Sequence, residues 1–361
     1  MKRVCVIFGG VSCEHEVSRI SASNIIAKLD KTLYSPVVME ISKNREFYLY
    51  EFKDEESYYK QLIKVDNDLK KEKIIPDTDM FRRLEADVVF PALHGTGGED
   101  GILQGFLQLC DVAYVGCDVL SSAVCFDKVI AKDILVQNGI CVADYLWFSG
   151  DEIKEDMDKI VKTVERKFSY PVFIKPSECG SSVGINKVKN RDALVSSLVF
   201  AANYSRKVLV EEFVEGEELE VAVLGSYKKA EASSVGQILA SNEFYDYNAK
   251  YVDGKTKTLT KTEIGESYVK EIRKIAVKAF RILGCYGLAR VDFFLTKGRK
   301  AIVNELNTMP GFTGISMYPM LWEENGLPYK DLLTRLITLA EERKTGYRFL
   351  TDYTGIKGQN E

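Results

Sequence analysis

Apolar residues 4–8 form an unbroken run that ends in Gly9 and Gly10. Val17, Ile20, Ile25, Ile26 and Leu29 then recur at near-helical spacing, and a second apolar run follows at 36–41. A buried run, a helical period and another run predict a β-α-β opening and therefore an α/β first domain. Residues 87–91 predict a further buried strand, and the loop LHGTGGEDG leads from it into a helix at 102–110. The intervening 43–85 stretch is charged and tyrosine-rich, with a hairpin expected at 45–52 and an amphipathic helix beyond it.

A helical pattern over 127–138 stops at Gly139, and the signals then change. A helix at 151–167 is followed by strands at 172–175, 184–188, 208–213 and 219–224, which no longer alternate one for one with helices. An antiparallel α+β region is expected there. Residues 240–265 are polar with little periodicity, ahead of a helix at 266–284, and a loop that long in a folded enzyme is usually functional. ARVDFF (289–294) and VNELN (303–307) read as two strands joined by TKGRK.

Composition narrows the class. At 361 residues and 46% hydrophobic content the chain exceeds a single small core, so two or three domains are expected. Its 49 basic and 53 acidic residues offer no polycationic face for nucleic acid. Eight cysteines lie scattered without a C-x-x-C pair, which fits reduced thiols in a cytoplasm. The opening apolar run is too short and too acidic in its sequel for a secretion signal, and no stretch reaches the roughly 18 to 20 apolar residues of a membrane span.

The chemistry begins at FIKPSECGSSVGI (173–185), where Lys175 ends a strand ahead of glycine and small hydroxyl residues. The order is not that of a P-loop, in which the lysine follows the glycines. A nucleophilic Ser181 or Ser182 would need a base, yet the chain has only His15 and His94 and no G-x-S-x-G elbow. A phosphate cradle and a plain hairpin turn both remain open for this loop.

Alternation on a strand puts Arg290 and Asp292 on one face of ARVDFF, and Glu305 and Asn307 on one face of its neighbour. Two carboxylates and an amide beside an arginine suit magnesium with phosphate oxygens completing its shell, whereas a surface salt bridge is the plainer alternative. TMPGFTGISMYP, just beyond, has backbone amides able to stabilise an oxyanion or to form only a turn. GGVSCEHEVS lacks the G-x-G-x-x-G spacing of a nicotinamide site, so Glu14 and Glu16 can be simple first-turn carboxylates. His94 and Glu99 in LHGTGGEDG have the same ambiguity. VEEFVEGEELEVAVLG, with six glutamates in ten residues, is either a solvated hairpin or a hinge offering carboxylates to a ribose.

Taken together, VIFGGVSCEHEVS, ALHGTGGEDG, FDK, VFIKPSECGSSVGI, VLVEEFVEGEE, FYDYNAKY, ARVDFF and NELNTMPGFTGISMYP closely resemble the D-alanine:D-alanine ligase family of the ATP-grasp superfamily. The match follows family order over essentially the whole chain. It implies an ATP-grasp fold with α/β and α+β domains: a Rossmann-like N-terminal α/β domain (1–97), a central subdomain (98–214) and a C-terminal subdomain (215–361) carrying a lid at about 240–265.

The resemblance further implies that the 180–183 loop folds over the γ-phosphate of ATP, with Ser182 in it and Lys128 and Lys175 on the phosphates. Glu211, Glu212, Val214 and Glu218 would surround adenine and ribose, and Asp292, Glu305 and Asn307 would hold two magnesium ions, replaceable by manganese. Glu14, linked to Ser181 and Tyr251, would bind the ammonium of the first D-alanine. Arg290 and the Gly311 amide would hold its reacting carboxylate, while His94, Lys250, Ser316 and Met317 would serve the second substrate. The implied activity is formation of D-alanyl-D-alanine through D-alanyl phosphate for peptidoglycan precursors, in a cytoplasmic homodimer. D-alanine:D-serine ligation of the glycopeptide-resistance type is the alternative. Many D-lactate and D-serine enzymes of the family carry arginine where this chain has Met317, and some relatives have histidine at the position of Ile315.

Overall fold

In the computed structural model, residues 1–51, 71–239 and 257–346 are described. The first layer is a six-stranded sheet in the order β4-β3-β2-β1-β5-β6. Strands β1 (Lys2–Gly9), β2 (Tyr34–Ile41), β5 (Val88–Pro91) and β6 (Ala113–Tyr114) run parallel, and β3 (Phe47–Tyr50) and β4 (Lys71–Ile74) add an antiparallel edge. The expected β-α-β opening is present, with α1 (His15–Lys28) as its crossover; Glu16 in its first turn and Lys28 in its last complement the helix dipole. The short α2 (Met80–Arg83) and α3 (Ile102–Leu109) follow. Strand β6 lies beyond residue 97, so the sheet of the first unit draws on residues expected to open the central one.

Helices α4 (Val119–Phe126) and α5 (Lys128–Gln137) meet at Asp127, whose carboxylate caps α5 by accepting from the Val129 and Ile130 amides. The central sheet runs β7-β10-β8-β9, with β7 (Tyr145–Ser149), β8 (Val172–Pro176), β9 (Asn186–Val188) and β10 (Lys207–Glu212) all antiparallel. The helix expected at 151–167 is two, α6 (Gly150–Glu155) and α7 (Met157–Lys167). Asp156 leaves helical geometry, and its side chain accepts from the Lys159 amide to start α7, which is the N-cap behaviour that makes aspartate a poor interior residue. Helix α8 (Arg191–Ala201) completes this layer.

The third sheet, β13-β12-β11-β14-β15, is also antiparallel. It comprises β11 (Gly216–Gly225), β12 (Ala230–Leu239), β13 (Lys257–Leu259), β14 (Gly287–Thr296) and β15 (Ala301–Asn307), with α9 (Glu266–Ile282) packed on it. Helices α10 (Met317–Glu324) and α11 (Tyr329–Gly346) return to the first sheet, where Phe312, Trp322, Leu333 and Ile337 share one core with Val4, Phe8 and Phe90. That return places the 308–316 turn against α1 and the loop that leaves β5. Among the described residues no helix is long and apolar enough to cross a membrane.

Candidate active site

A cavity of about 230 Å³ opens between the second and third sheets. β8 supplies Phe173 and Lys175, and the β10–β11 connection supplies Glu211, Glu212, Phe213, Val214 and Glu218. From β14 and β15 come Asp292, Asn304 and Glu305, while Lys128 enters from the start of α5 and Ser181 and Ser182 from the β8–β9 loop. Every residue expected at the phosphates, adenine and ribose therefore lines one space, walled on one side by Phe173, Phe213 and Leu219.

The register of β14 on β15 sets Arg290 against Asn307 and Asp292 directly against Glu305, which is the shared face that alternation predicted. Arg290 Nε and Nη2 each donate to Asp292 at 2.7 Å, Asn307 Nδ2 donates to Asp292 Oδ2 at 2.9 Å, and Lys128 Nζ lies 3.4 Å from Glu305 Oε2. Burial alone would lower the Arg290 pKa, but Asp292 and Glu220 outweigh it and hold the guanidinium well above its ordinary range. Among the described residues no three His, Cys, Asp or Glu side chains form a ready metal cluster; the donor set here is two carboxylates and one amide.

Behind Lys175 lies a buried network that sequence reading missed. Lys175 Nζ is 2.5 Å from Glu211 Oε2, and Lys132 Nζ is 2.8 Å from Glu211 Oε1. Asn304 ties both lysines together, its side-chain oxygen accepting from Lys175 at 3.1 Å and its carbonyl from Lys132 at 3.1 Å. Desolvation would raise the Glu211 carboxyl, yet the two lysines bring it down to about 2. Lys132 follows Lys128 by one helical turn, an i,i+4 spacing that was a usable signal. Asn304 had none. Asp292 pairs with Glu305 but Phe293 pairs with Val303, so Asn304 is the extra residue of a β-bulge that turns it towards the same cavity as Glu305.

The 180–183 loop is held from both sides. Lys128 Nζ donates to the Cys179 carbonyl at 2.7 Å, and the Ser181 hydroxyl donates to the Glu14 carboxylate at the end of the β1–α1 loop. Ser181 and Ser182 adopt φ of 50° and 59°, left-handed conformations uncommon for residues with a Cβ. Glu14 is buried, and Gly180 packs so close that an added Cβ would lie 3.0 Å from Glu14 Oε2. Glu99 faces the same region, where burial and the Glu14 and Glu305 carboxylates push its pKa well above the ordinary range.

His94 bridges the first layer to the 308–316 turn. Its Nδ1 lies 3.0 Å from the Met309 carbonyl, which can only accept, so Nδ1 carries the proton and Nε2 accepts from Ser21 at 2.9 Å. Burial lowers its pKa, in keeping with a neutral ring. Ser21 in turn accepts from the Phe312 amide beside Gly311 at 3.2 Å. Ser316 accepts from the Thr313 amide at 2.9 Å, and Met317 is buried in the first core beside Gly236. Lys250, Tyr251 and most of the expected 240–265 lid lie outside the described residues.

Two family models match the chain: "D-ala D-ala ligase N-terminus" over residues 3–117 and "D-ala D-ala ligase C-terminus" over 134–338. The chain is 45% identical to the D-alanine–D-alanine ligase of Acetivibrio thermocellus, covering 95% of this chain and 96% of that protein. It is also 45% identical to the Natranaerobius thermophilus enzyme of the same name, covering 95% of each. Among solved structures, the D-alanine-D-alanine ligase from Coxiella burnetii superposes with a TM-score of 0.83 at 36% identity, over 96% of this chain and 97% of that one. The VanG D-Ala:D-Ser ligase from Enterococcus faecalis superposes with a TM-score of 0.83 at 34% identity, over 94% of this chain and 99% of that one.

Proposed function

We propose that this chain, which belongs to the D-alanine–D-alanine ligase family, joins two D-alanine molecules at the expense of ATP. A carboxylate oxygen of the first D-alanine attacks the γ-phosphorus and ADP leaves. The deprotonated amine of the second then attacks the carbonyl carbon of D-alanyl phosphate, and phosphate leaves. The observation that carries this reading is the convergence of Lys128, Lys175, Asp292 and Glu305 on one cavity beneath the 180–183 loop. Phosphoryl transfer needs alignment and charge neutralisation more than a protein nucleophile, and none of these groups is a nucleophile in waiting.

Lys128 and Lys175 hold the phosphates, with Ser182 in the covering loop, and Glu211, Glu212, Val214 and Glu218 border the base and ribose. Asp292, Glu305 and Asn307 fit magnesium, or manganese in its place. Like charges paired directly across two strands repel, and oxygen donors of this type suit a hard divalent cation. The cation supplies charge neutralisation at the transferring phosphoryl group. Glu14 receives the first ammonium, supported by Ser181 and Tyr251, and Arg290 with the Gly311 amide receives its carboxylate and the later oxyanion. His94, Ser316, Met317 and Lys250 border the second substrate.

The acceptor in this reading is D-alanine. Superposition does not separate the two acceptors, because a D-Ala:D-Ala and a D-Ala:D-Ser enzyme match equally well. D-alanine is favoured by the names of the relatives at 45% identity and by Met317, where many D-lactate and D-serine enzymes of the family carry arginine. The eight free thiols support a reducing cytoplasm, and a homodimer rests on the family resemblance alone. Glu305→Gln tests the assignment: turnover falls by about 10³-fold or more with the melting temperature kept, as expected when transition-state charge stabilisation is lost. A fully active variant contradicts it.

A further inference from the structure

We propose that Glu220 is a positioning residue for Arg290, taking over its guanidinium when the Asp292 carboxylate engages a cation. The proposal rests on the assignment of Asp292 as a metal ligand. Strand register places Glu220, Asp292 and Glu305 side by side in one row across β11, β14 and β15. Glu220 is buried, and its Oε2 lies 3.2 Å from Arg290 Nε.

The difficulty it resolves lies at Asp292. Both of its oxygens accept from Arg290 at 2.7 Å, and Asn307 adds a third hydrogen bond. A carboxylate so occupied must release N–H donors before it can present an oxygen to a metal ion, and a buried guanidinium without an acceptor is costly. Glu220 removes that cost, because the Arg290 Nε–H has a second carboxylate within reach after a small rotation. Arg290 thus stays ionised and close to its place while Asp292 changes partner. Glu220 and Glu218, two residues earlier on the same strand face, both line the cavity, and the Glu220 carboxylate reaches Arg290.

Manganese binding in the presence of ADP, followed by electron paramagnetic resonance, reads this without turnover. Glu220→Gln is expected to weaken Mn²⁺ binding about fivefold or more, whereas in an Arg290→Lys background the same change shifts it less than about twofold, the signature of coupled residues. An equal factor in both backgrounds means that Glu220 contributes only negative potential, and overturns the proposal, as does unchanged affinity in the single variant. Glu220→Asp, which keeps the charge but shortens the reach, should bind with intermediate affinity; wild-type affinity there also contradicts it. Asp292→Asn should abolish binding. Wild-type protein that binds no Mn²⁺ with ADP overturns the metal assignment together with this inference, whereas a failure confined to the Glu220 variants leaves that assignment standing.

Discussion

Glu211 is the residue whose environment departs furthest from its sequence context. In VEEFVEGEE it is one glutamate among many, yet it is buried between Lys132 and Lys175. Replacing Lys132 by Met leaves that carboxylate short of one partner, so we expect a loss of about 3 to 5 kcal/mol in urea unfolding, typical of a broken buried pair. ATP affinity should weaken with it, through a displaced Lys175. The pH dependence has a definite sign. Glu211 titrates near 2 in the fold and in the ordinary carboxylate range when unfolded, so its stabilisation is complete above about 4.5 and is lost as pH falls towards 2. Its share is on the order of 3 kcal/mol; Glu211→Gln should flatten stability between pH 5 and 2 relative to wild type, and an unchanged slope contradicts the pairing. Arg290, Asp292, Glu305 and Asn307 were legible because strand alternation alone puts them on shared faces. Lys132 and Glu211 were not legible as a pair, since their meeting depends on how α5 packs against β10, which no local pattern encodes.

Among elements, the β8–β9 loop is the one on which the proposed function leans most, and its backbone is irregular. Gly184 at its end has φ +75°, and a Cβ there would lie 2.6 Å from the Pro176 ring. Gly184→Ala therefore meets both a left-handed conformation and a rigid neighbour, and should cost about 1 to 3 kcal/mol. It should raise the KM for ATP more than that for D-alanine, because the 180–183 loop leaves from this point; the opposite order would place the loop away from the phosphates. Runs and periods in the sequence located the β-α-β opening and most strands that line the site, but left β6, β7, β13, α4, α8, α10 and α11 unplaced. Two elements that were located differ in detail, because a side chain competed with the backbone or the ladder changed count: Asp156 divides one expected helix into α6 and α7, and the bulge at Asn304 breaks strict alternation in β15. Both devices belong to three-dimensional context, the second especially, since an extra residue is defined only by the partner strand it fails to match.

On the scale of the whole molecule, the cavity proposed for the nucleotide is built from two antiparallel sheets, and the first substrate's expected partner, Glu14, arrives from a third layer through Ser181. Helices α10 and α11 fasten the third sheet to the first, so loops from all three meet at one place. A ligand held between layers should stabilise them together: a non-hydrolysable ATP analogue with magnesium at 100 times its Kd should add about 2.7 kcal/mol to unfolding. No shift in a thermal melt would mean that the cavity does not take the nucleotide. The most direct test of the account is phosphate release by the purified protein with ATP and magnesium, comparing D-alanine alone, D-alanine with D-serine, D-alanine with D-lactate, and L-alanine, with products identified by mass. The account predicts release with D-alanine alone, yielding D-alanyl-D-alanine; release that requires D-serine, or none with any D-alanine mixture, would contradict it.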